Sequence, residues 1–234
     1  MQKYDLVIFD LDRAIELTPN SVGAYFGRGM AEFKLNKYNE ASQDLARVLR
    51  SNFNYEQLYY PLALSQYFTD RYLEATDNFS KEIENHSENI AAYNYRGLAY
   101  LKLKEYQKSL DDFNRTIELK SNIPEVYLSR GEARFALGDR DGAIKDYDRA
   151  IAIKPDCDRA FLLKGQLYYQ LENYQKAIKN FDTVIALNPN SEAAYFWRGK
   201  TFYNLKQYSQ SVADFLKATK NKTYIEPINN LIGL

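Results

Sequence analysis

The sequence predicts an all-α fold built from repeated helical hairpins, and three columns of residues at a fixed period indicate it. Glycine recurs every 34 residues, at Gly29, Gly97, Gly131, Gly165 and Gly199, and Ala63 replaces it at the remaining position of this column. Four residues before each step stands an aromatic residue: Tyr25, Tyr59, Tyr93, Tyr127, Phe161 and Tyr195. Twelve residues after each step stands a small residue: Ala41, Ala75, Ser109, Ala143, Ala177 and Ser211. Such a period is the signature of a repeat array.

The spacing inside one period predicts two helices, here named helix A and helix B. An aromatic residue and a glycine four positions later lie on one face of a helix. The small residue is followed four positions later by a bulky one, which predicts a second helix: Leu45, Phe79, Phe113, Tyr147, Phe181 and Phe215. Short polar turns such as 103–105 and 137–139 separate the two helices. Pro155 and Pro189 follow helix B, which they cannot continue.

This pattern resembles the tetratricopeptide repeat, in which a bulky residue, glycine and tyrosine mark helix A and alanine, phenylalanine and proline mark helix B. The resemblance implies a right-handed superhelical solenoid that spans 1–234 as a single array. The predicted full repeats are 22–55, 56–89, 90–123, 124–157, 158–191 and 192–225. One repeat departs from the pattern, because 56–89 has Ala63 for glycine and Pro61 inside helix A. Proline inside a helix removes a hydrogen bond, so we expect a kink or a late start there.

A charge column predicts ion pairs inside the repeats. The seventh position of each repeat holds Arg28, Leu62, Arg96, Arg130, Lys164 or Arg198. Position 23 holds Asp44, Asn78, Asp112, Asp146, Asn180 or Asp214, so aspartate occurs wherever arginine does. A partly buried arginine beside a carboxylate forms two parallel hydrogen bonds. We therefore predict pairs within the repeat; the alternative is that both columns are solvated and agree by accident.

The ends of the chain predict an array cut from a longer one. Segment 1–21 has the columns of a lone helix B, with Tyr4 at its start and Pro19 after its end. Segment 226–234 has those of the opening of a further helix A, with Gly233 on the glycine step. The alternative is a natural chain with divergent capping helices. In a sharper variant, the two incomplete repeats complete each other between molecules and produce a head-to-tail homo-oligomer.

Composition excludes several classes of partner. Lys plus Arg and Asp plus Glu both number 31, so the net charge is zero and no attraction to nucleic acid is expected. No run of 18 apolar residues is present, so membrane insertion is not expected. The single cysteine, Cys157, excludes an internal disulfide and fits a reducing compartment. We expect a cytoplasmic protein, although a targeting segment would be missing from a fragment.

The sequence offers nothing from which to build a catalytic, cofactor or metal site, so we expect a protein that is not an enzyme. His86, the single histidine, is expected at a solvated end of helix B. Cys157 stands between two aspartates, which disfavour the thiolate. One histidine and one cysteine cannot build a zinc site without carboxylates or a second chain. The glycines lie far apart and form no phosphate-binding loop.

The resemblance implies that helices A line a concave groove that binds a peptide or helix of a partner protein. The predicted groove residues are Phe26, Met30, Phe33, Tyr60, Leu64, Tyr67, Phe68, Asn94, Leu98 and Leu101. The alternative, which applies with equal weight to Phe33 and Tyr67, is that such aromatics only pack adjacent helices A. We favour binding for Met30, Leu64, Phe68 and Leu98.

The family members that clamp the acidic tails of chaperones carry asparagine at position 9 and lysine at position 5. Position 9 here is never asparagine, being Met30, Leu64, Leu98, Glu132, Gln166 and Lys200, and position 5 is never lysine. The sequence therefore predicts a scaffold or adaptor without this clamp. The alternative function is a self-assembling structural module.

Overall fold

The structure is a computed structural model that describes residues 2–51, 53, 55–120, 122–219 and 224–225. Across these ranges the chain forms thirteen α-helices and no β-strand, which confirms the predicted all-α repeat fold. The contacts divide the chain into two compact units, 1–121 and 122–234, and each is described by itself.

Each unit contains helical hairpins in which a helix A packs on the helix B that follows it. The helices of the first unit are α1 (Gln2–Leu17), α2 (Val22–Lys34), α3 (Tyr38–Leu49), α4 (Tyr59–Phe68), α5 (Tyr72–Asn85), α6 (Ile90–Lys102) and α7 (Tyr106–Leu119). Those of the second are α8 (Pro124–Ala136), α9 (Arg140–Ile153), α10 (Asp158–Gln170), α11 (Tyr174–Leu187), α12 (Glu192–Asn204) and α13 (Tyr208–Ala218).

The glycine column marks the closest approach between helix A and helix B. A Cβ atom at Gly131 would lie 2.5 Å from Cε1 of Tyr147, and one at Gly29 would lie 2.9 Å from Cγ of Leu45. The bulky residue on helix B therefore occupies the space that a side chain on helix A would need. Phe79, Phe113 and Phe181 of this bulky column are fully buried. The small and bulky columns thus form the core of each hairpin, as the sequence predicts.

Helix α4 starts late, which confirms the expected effect of Pro61. The other five helices A begin at the first residue of their repeat, whereas α4 begins at Tyr59 and has 10 residues instead of 13. This start places Pro61 in the first turn, where a missing N–H costs nothing because no intrahelical acceptor exists. A start at 56 would require the N–H that proline lacks. Segment 56–58 therefore lies outside the helix.

The turn between helix A and helix B has a left-handed residue at the same position in every full repeat. Its φ values lie between 57° and 86° at Asn36, Asp70, Lys104, Gly138, Glu172 and Lys206. Only Gly138 adopts this conformation without a steric penalty, because glycine has no Cβ atom. Lysine and glutamate are thus held at a strained backbone position in three of the six turns.

Replacing Lys104 or Glu172 with glycine is expected to raise the free energy of unfolding by about 0.5–1 kcal/mol. The gain in the free energy of unfolding is the strain energy removed at the left-handed position, minus the cost of the larger conformational entropy that glycine has in the unfolded chain. The reverse change, Gly138→Ala, is expected to lower the free energy of unfolding by a similar amount. Urea unfolding monitored by circular dichroism measures all three, and a loss of stability in both glycine variants would contradict the assignment.

The predicted ion pairs within repeats are confirmed, and each is a two-point contact. Nε and Nη2 of Arg96 donate to the two carboxylate oxygens of Asp112 at 2.9 and 2.7 Å. The same atoms of Arg198 reach Asp214, both at 2.7 Å. The remaining predicted pairs, Arg28–Asp44 and Arg130–Asp146, have the same geometry. The aspartates are buried, so the alternative of two solvated columns is wrong.

The basic residue also reaches the preceding helix B, a contact that we did not expect. Nη1 of Arg28 donates to Asp12 at 2.6 Å and Nη1 of Arg96 to Ser80 at 2.9 Å. In the second unit, Lys164 contacts Asp148 and Arg198 contacts Asp182, both at 2.5 Å. These acceptors all lie 16 residues before the basic residue. Arg28, Arg96 and Arg198 each therefore link two successive helices B.

Leu62, which replaces the basic residue in repeat 56–89, lies in an apolar environment instead. The residue 16 positions before it is Ala46, which packs beside a cluster formed by Tyr25, Leu45, Val48, Leu58 and Leu62. Asn78, at the aspartate position of this repeat, donates to the side-chain oxygen of Gln66 at 2.8 Å. An apolar contact and a neutral amide pair thus replace the charges at this joint.

Glu32 is a buried acid beside the Arg28 pair. Its side chain is buried and its Oε2 atom makes no hydrogen bond. Burial, followed by repulsion from Asp44, raises the pKa of Glu32 to about 7, and attraction to Arg28 opposes the rise only in part. The fold therefore favours the protonated acid over the carboxylate.

The free energy of unfolding is consequently expected to fall between pH 4.5 and about 7, the ordinary and the raised pKa of Glu32. A folded state that binds the proton more tightly than the unfolded chain loses this advantage as the proton leaves. Glu32→Gln should raise the free energy of unfolding by about 1–2 kcal/mol at pH 8 and by almost nothing at pH 4. Gln66 occupies the same repeat position and shows that an amide fits there. Urea unfolding at both pH values checks this, and an equal effect at the two would contradict it.

Helix α1, in the segment 1–21 for which a lone helix B is the expectation, packs on α2. Its apolar side chains are exposed, with Leu6 at 66% and Phe9 at 70%. At these two positions the full repeats carry mostly polar residues, such as Glu40 and Gln43 in repeat 22–55. The outer face of α1 is thus apolar where the other helices B are polar. The predicted helix A at 226–234 lies outside the described residues.

Candidate functional site

A cavity of about 750 Å³ opens in the first unit, beside the late start of α4. It is lined by Met30, Phe33, Lys34, Glu56, Gln57, Tyr60, Pro61, Glu82, Asn85, His86, Ser87, Glu88 and Asn89. One wall comes from the end of α2, a second from the segment before and within the first turn of α4, and a third from the end of α5 and the loop to α6. Cavities of this size hold small ligands or side chains of a partner.

The cavity lies where repeat 56–89 departs from the repeat pattern. Because Pro61 delays the start of α4, Glu56 and Gln57 line the cavity from an irregular segment rather than from a helical turn. The third wall contains residues 85–89, from the end of α5 and the loop to α6. His86 is the C-terminal cap of α5, at the end of a helix B as predicted. The sequence predicts the late start of α4 but does not assign it to a site.

The polar wall is organised around one buried carboxylate. Glu82 is 5% exposed, and its Oε1 accepts a hydrogen bond from Nδ2 of Asn89 at 2.7 Å. Nδ1 of His86 lies 3.2 Å from the same oxygen, and Nε2 of His86 lies 3.8 Å from Oε1 of Glu56. Asn89 also caps α6 by accepting the N–H of Ala92, which fixes the loop. The carboxylate of Glu82 is thus held in one place.

Three of the predicted groove residues form the apolar part of this cavity. Met30, Phe33 and Tyr60 all line it, from α2 and α4. Burial raises the pKa of the Tyr60 hydroxyl to about 12, so it is a neutral hydrogen-bonding group. Tyr60 also makes an edge contact with Phe79, which holds its ring against the core. An apolar floor and an acidic wall therefore meet in one cavity.

Two further predicted residues, Tyr67 and Phe68, belong to an aromatic cluster at the end of α4. Phe68 stacks on Tyr38 with the ring centroids 4.5 Å apart and stays 46% exposed. Tyr67 makes edge contacts with Phe68, Tyr72 and Tyr95 at 5.4 to 5.6 Å. The hydroxyl of Tyr72 in turn donates to Asp70. The cluster presents rigid aromatic surface to solvent.

The structure places the other predicted residues differently. Leu64 is 8% exposed and packs with Ala63, Ala75 and Phe79, so it offers little surface to a partner. Phe26 stacks on Tyr55 at 4.1 Å. The three residues of α6 are half-buried and lie outside the cavity: Asn94, Leu98 and Leu101. The structure thus brings Met30, Phe33 and Tyr60 together, with Tyr67 and Phe68 in the neighbouring aromatic cluster.

A smaller cavity of about 280 Å³ lies in the second unit, between α10 and α11, and is lined by three lysines. Lys164 and Asn180 stand there where four of the other repeats have arginine and aspartate. Among the described residues no group of three His, Cys, Asp or Glu side chains is placed to hold a metal ion. None of the described helices has both the length and the apolar character that crossing a bilayer requires.

Comparison with family models finds tetratricopeptide repeats over more than half of the chain. A model described as TPR repeat matches 131–171 and 165–206. Two models described as tetratricopeptide repeat match 90–123 in one case and 22–55 and 192–222 in the other. A comparison with curated proteins finds no significant match.

Several solved structures are similar to this chain. A tetratricopeptide repeat protein from Parabacteroides merdae is 17% identical, with a TM-score of 0.70 over 100% of this chain and 98% of that one. YrrB, described as a TPR protein with an unusual peptide-binding site, is 23% identical, with a TM-score of 0.65 over 79% and 95%. MamA from Desulfovibrio magneticus is 17% identical, with a TM-score of 0.66 over 74% and 97%. These identities establish a shared fold alone.

Proposed function

Because the chain belongs to the tetratricopeptide repeat family, we propose that it is a protein-binding scaffold that holds a peptide or helix of a partner protein on the A-helix face of its first unit. The binding surface consists of the cavity beside α4 and the aromatic cluster at its end. The proposal involves binding without a reaction. The chaperone-tail clamp has no part in it, since position 9 is never asparagine.

The observation that carries the proposal is the exposed aromatic ring of Phe68, at the end of the helix whose first turn lines a cavity with an apolar floor. Rigid aromatic side chains that are already packed lose little entropy on binding and dominate binding energy at interfaces. Phe68 is fixed by Tyr38 and Tyr67, and Met30 offers a flexible, adaptable contact at the cavity. A short apolar segment of a partner would fit this combination of groove and anchor.

Display of random twelve-residue peptides, selected on the intact chain, provides ligands with which to test the proposal. We expect Phe68→Ala combined with Met30→Ala to weaken binding of the selected peptides at least tenfold, which is about 1.4 kcal/mol. Leu73→Ala is the matched control, because Leu73 is an exposed apolar residue of α5 in the same unit. Fluorescence anisotropy measures both. Unchanged binding by the double variant would place the peptide elsewhere and contradict the proposal.

Self-association is the second candidate function, and the apolar outer face of α1 favours it. Leu6 and Phe9 are exposed where the full repeats carry mostly polar residues, and exposed apolar patches mark contact sites. A head-to-tail contact through this face is heterologous and would extend into a filament unless it closed into a ring.

Light scattering with multi-angle detection at several concentrations tests this second candidate. If the face joins copies of the chain, the mass should rise with concentration and Leu6→Ser with Phe9→Ser should return it to the monomer value. A monomer at every concentration would exclude self-association and leave the scaffold proposal unaffected.

A further inference from the structure

We infer that the cavity beside α4 takes a basic side chain, lysine or arginine, of the bound partner segment. The inference rests on the proposed function and names the chemistry that the first unit would recognise. A peptide that lies along the A-helix face would insert this one side chain between the apolar floor and the acidic wall.

The shape of the cavity fits the two parts of a basic side chain. Met30, Phe33 and Tyr60 provide apolar and aromatic surface on one side. Lysine and arginine bury their methylene stems against such surface and keep the charged end in a polar environment. Glu56, Glu82 and Glu88 provide that environment on the other walls. The long stem would cross from the floor to the carboxylates.

The charges at the cavity favour a cation. Three glutamates line it against a single lysine, Lys34, and His86. Glu82 contributes most, because it is 5% exposed and a buried carboxylate gains more from a partner than an exposed one. Its Oε1 accepts from Asn89 at 2.7 Å and lies 3.2 Å from Nδ1 of His86, which holds the carboxylate on a wall of the cavity.

The same arrangement discriminates against other side chains. An acidic side chain or a C-terminal carboxylate would meet three carboxylates, and like charges at such distances disfavour binding. A purely apolar side chain would fill the floor and displace water from Glu82 without supplying a hydrogen bond. It would also leave the three carboxylates without a countercharge, which disfavours this occupant. A basic side chain matches both the apolar floor and the acidic wall.

Three synthetic peptides test the inference on the intact chain. Each has seven residues, acetylated and amidated, with alanine and leucine flanking a central lysine, norleucine or glutamate. Two-dimensional amide NMR titration reports binding and its location. We expect the lysine peptide to bind about tenfold more tightly than the norleucine peptide and to shift the amide signals of His86 and Asn89. The glutamate peptide should bind more weakly than both.

Two charge-neutralising variants complete the test. Glu82→Gln should remove most of the preference for lysine over norleucine, and Glu56→Gln should reduce it about threefold because Glu56 is exposed. Glu192→Gln is the matched control, since Glu192 occupies in the second unit the repeat position that Glu56 occupies in the first. Glu56 lies outside any helix, so its variant stays informative even if Glu82→Gln disturbs the fold.

Equal affinity for the lysine and norleucine peptides, unchanged in both variants, would overturn the inference. Failure of all three peptides to bind at millimolar concentration would overturn it as well. The display selection then decides separately whether the first unit binds peptides at all. Selected peptides that depend on Phe68 but not on Glu82 or Glu56 would leave the scaffold function standing without the basic subsite.

Discussion

Replacing Arg96 with leucine is expected to lower the free energy of unfolding by about 3–5 kcal/mol, the usual cost of breaking a buried ion pair from one side. The side chain of Asp112 is 6% exposed and would lose both arginine donors. Burial already raises the pKa of Asp112, and only the arginine counteracts this. Urea unfolding at pH 7 measures the loss.

A double variant that removes both charges of this pair is expected to restore part of the lost stability. Repeat 56–89 carries Leu62 and Asn78 at the same two positions, so Arg96→Leu with Asp112→Asn copies an arrangement that already exists in the fold. The double variant should be more stable than Arg96→Leu alone, because no carboxylate is left buried without a partner. Arg96→Leu should also recover stability at pH 4 as Asp112 takes up a proton. A double variant less stable than the single one would refute the pairing.

The second large effect is expected at Gly131, where leucine should lower the free energy of unfolding by about 3 kcal/mol through overpacking. Even a Cβ atom there would lie 2.5 Å from the ring of Tyr147, a residue that is 3% exposed. Helices α8 and α9 would have to separate. Thermal unfolding followed by circular dichroism gives the change.

Two smaller substitutions calibrate this result. Gly131→Ala should cost less, because alanine favours the helix by about 1 kcal/mol over glycine and Ala63 shows that the hairpin accepts a methyl group at this step. Gly23→Ala should be neutral or stabilising, since its Cβ would sit 3.7 Å from the Tyr55 hydroxyl. If Gly131→Leu lowered the free energy of unfolding no more than Gly23→Ala does, the pairing of α8 with α9 would be wrong.

The hairpins and the ion pairs within them could be predicted because the same residue pattern recurs in six repeats of the chain. Arginine occurs with aspartate at the two positions, as in Arg96 and Asp112, whereas Leu62 occurs with Asn78. Such a correlation inside one sequence indicates contact between the two positions. The contact of the basic residue with the preceding helix B could have been found in the same way. Ala46 precedes Leu62 by the interval at which Asp12 precedes Arg28.

The cavity and the burial of Leu64 could not be predicted, because both depend on the exceptional repeat. Pro61 predicts a late helix, yet the position of Glu56 and Gln57 follows from packing against α2 and the α5–α6 loop. Leu64 occupies a groove position in the repeat pattern, but Phe33, Tyr60 and Tyr67 pack around it. A periodic pattern describes the average repeat and carries no information about such local crowding.

The charged links from basic residues to the preceding helix B determine which joints of the array should loosen in salt. Salt screens the link from Asp12 of α1 to Arg28, and in the second unit it screens those from Asp148 to Lys164 and from Asp182 to Arg198. The joint between α3 and α4 has Ala46 and Leu62 there and an apolar cluster instead of charges. Hydrogen exchange at rising salt concentration should therefore find the joint between α1 and α2 the first in the first unit to lose protection, whereas the joint between α3 and α4 should stay almost unchanged.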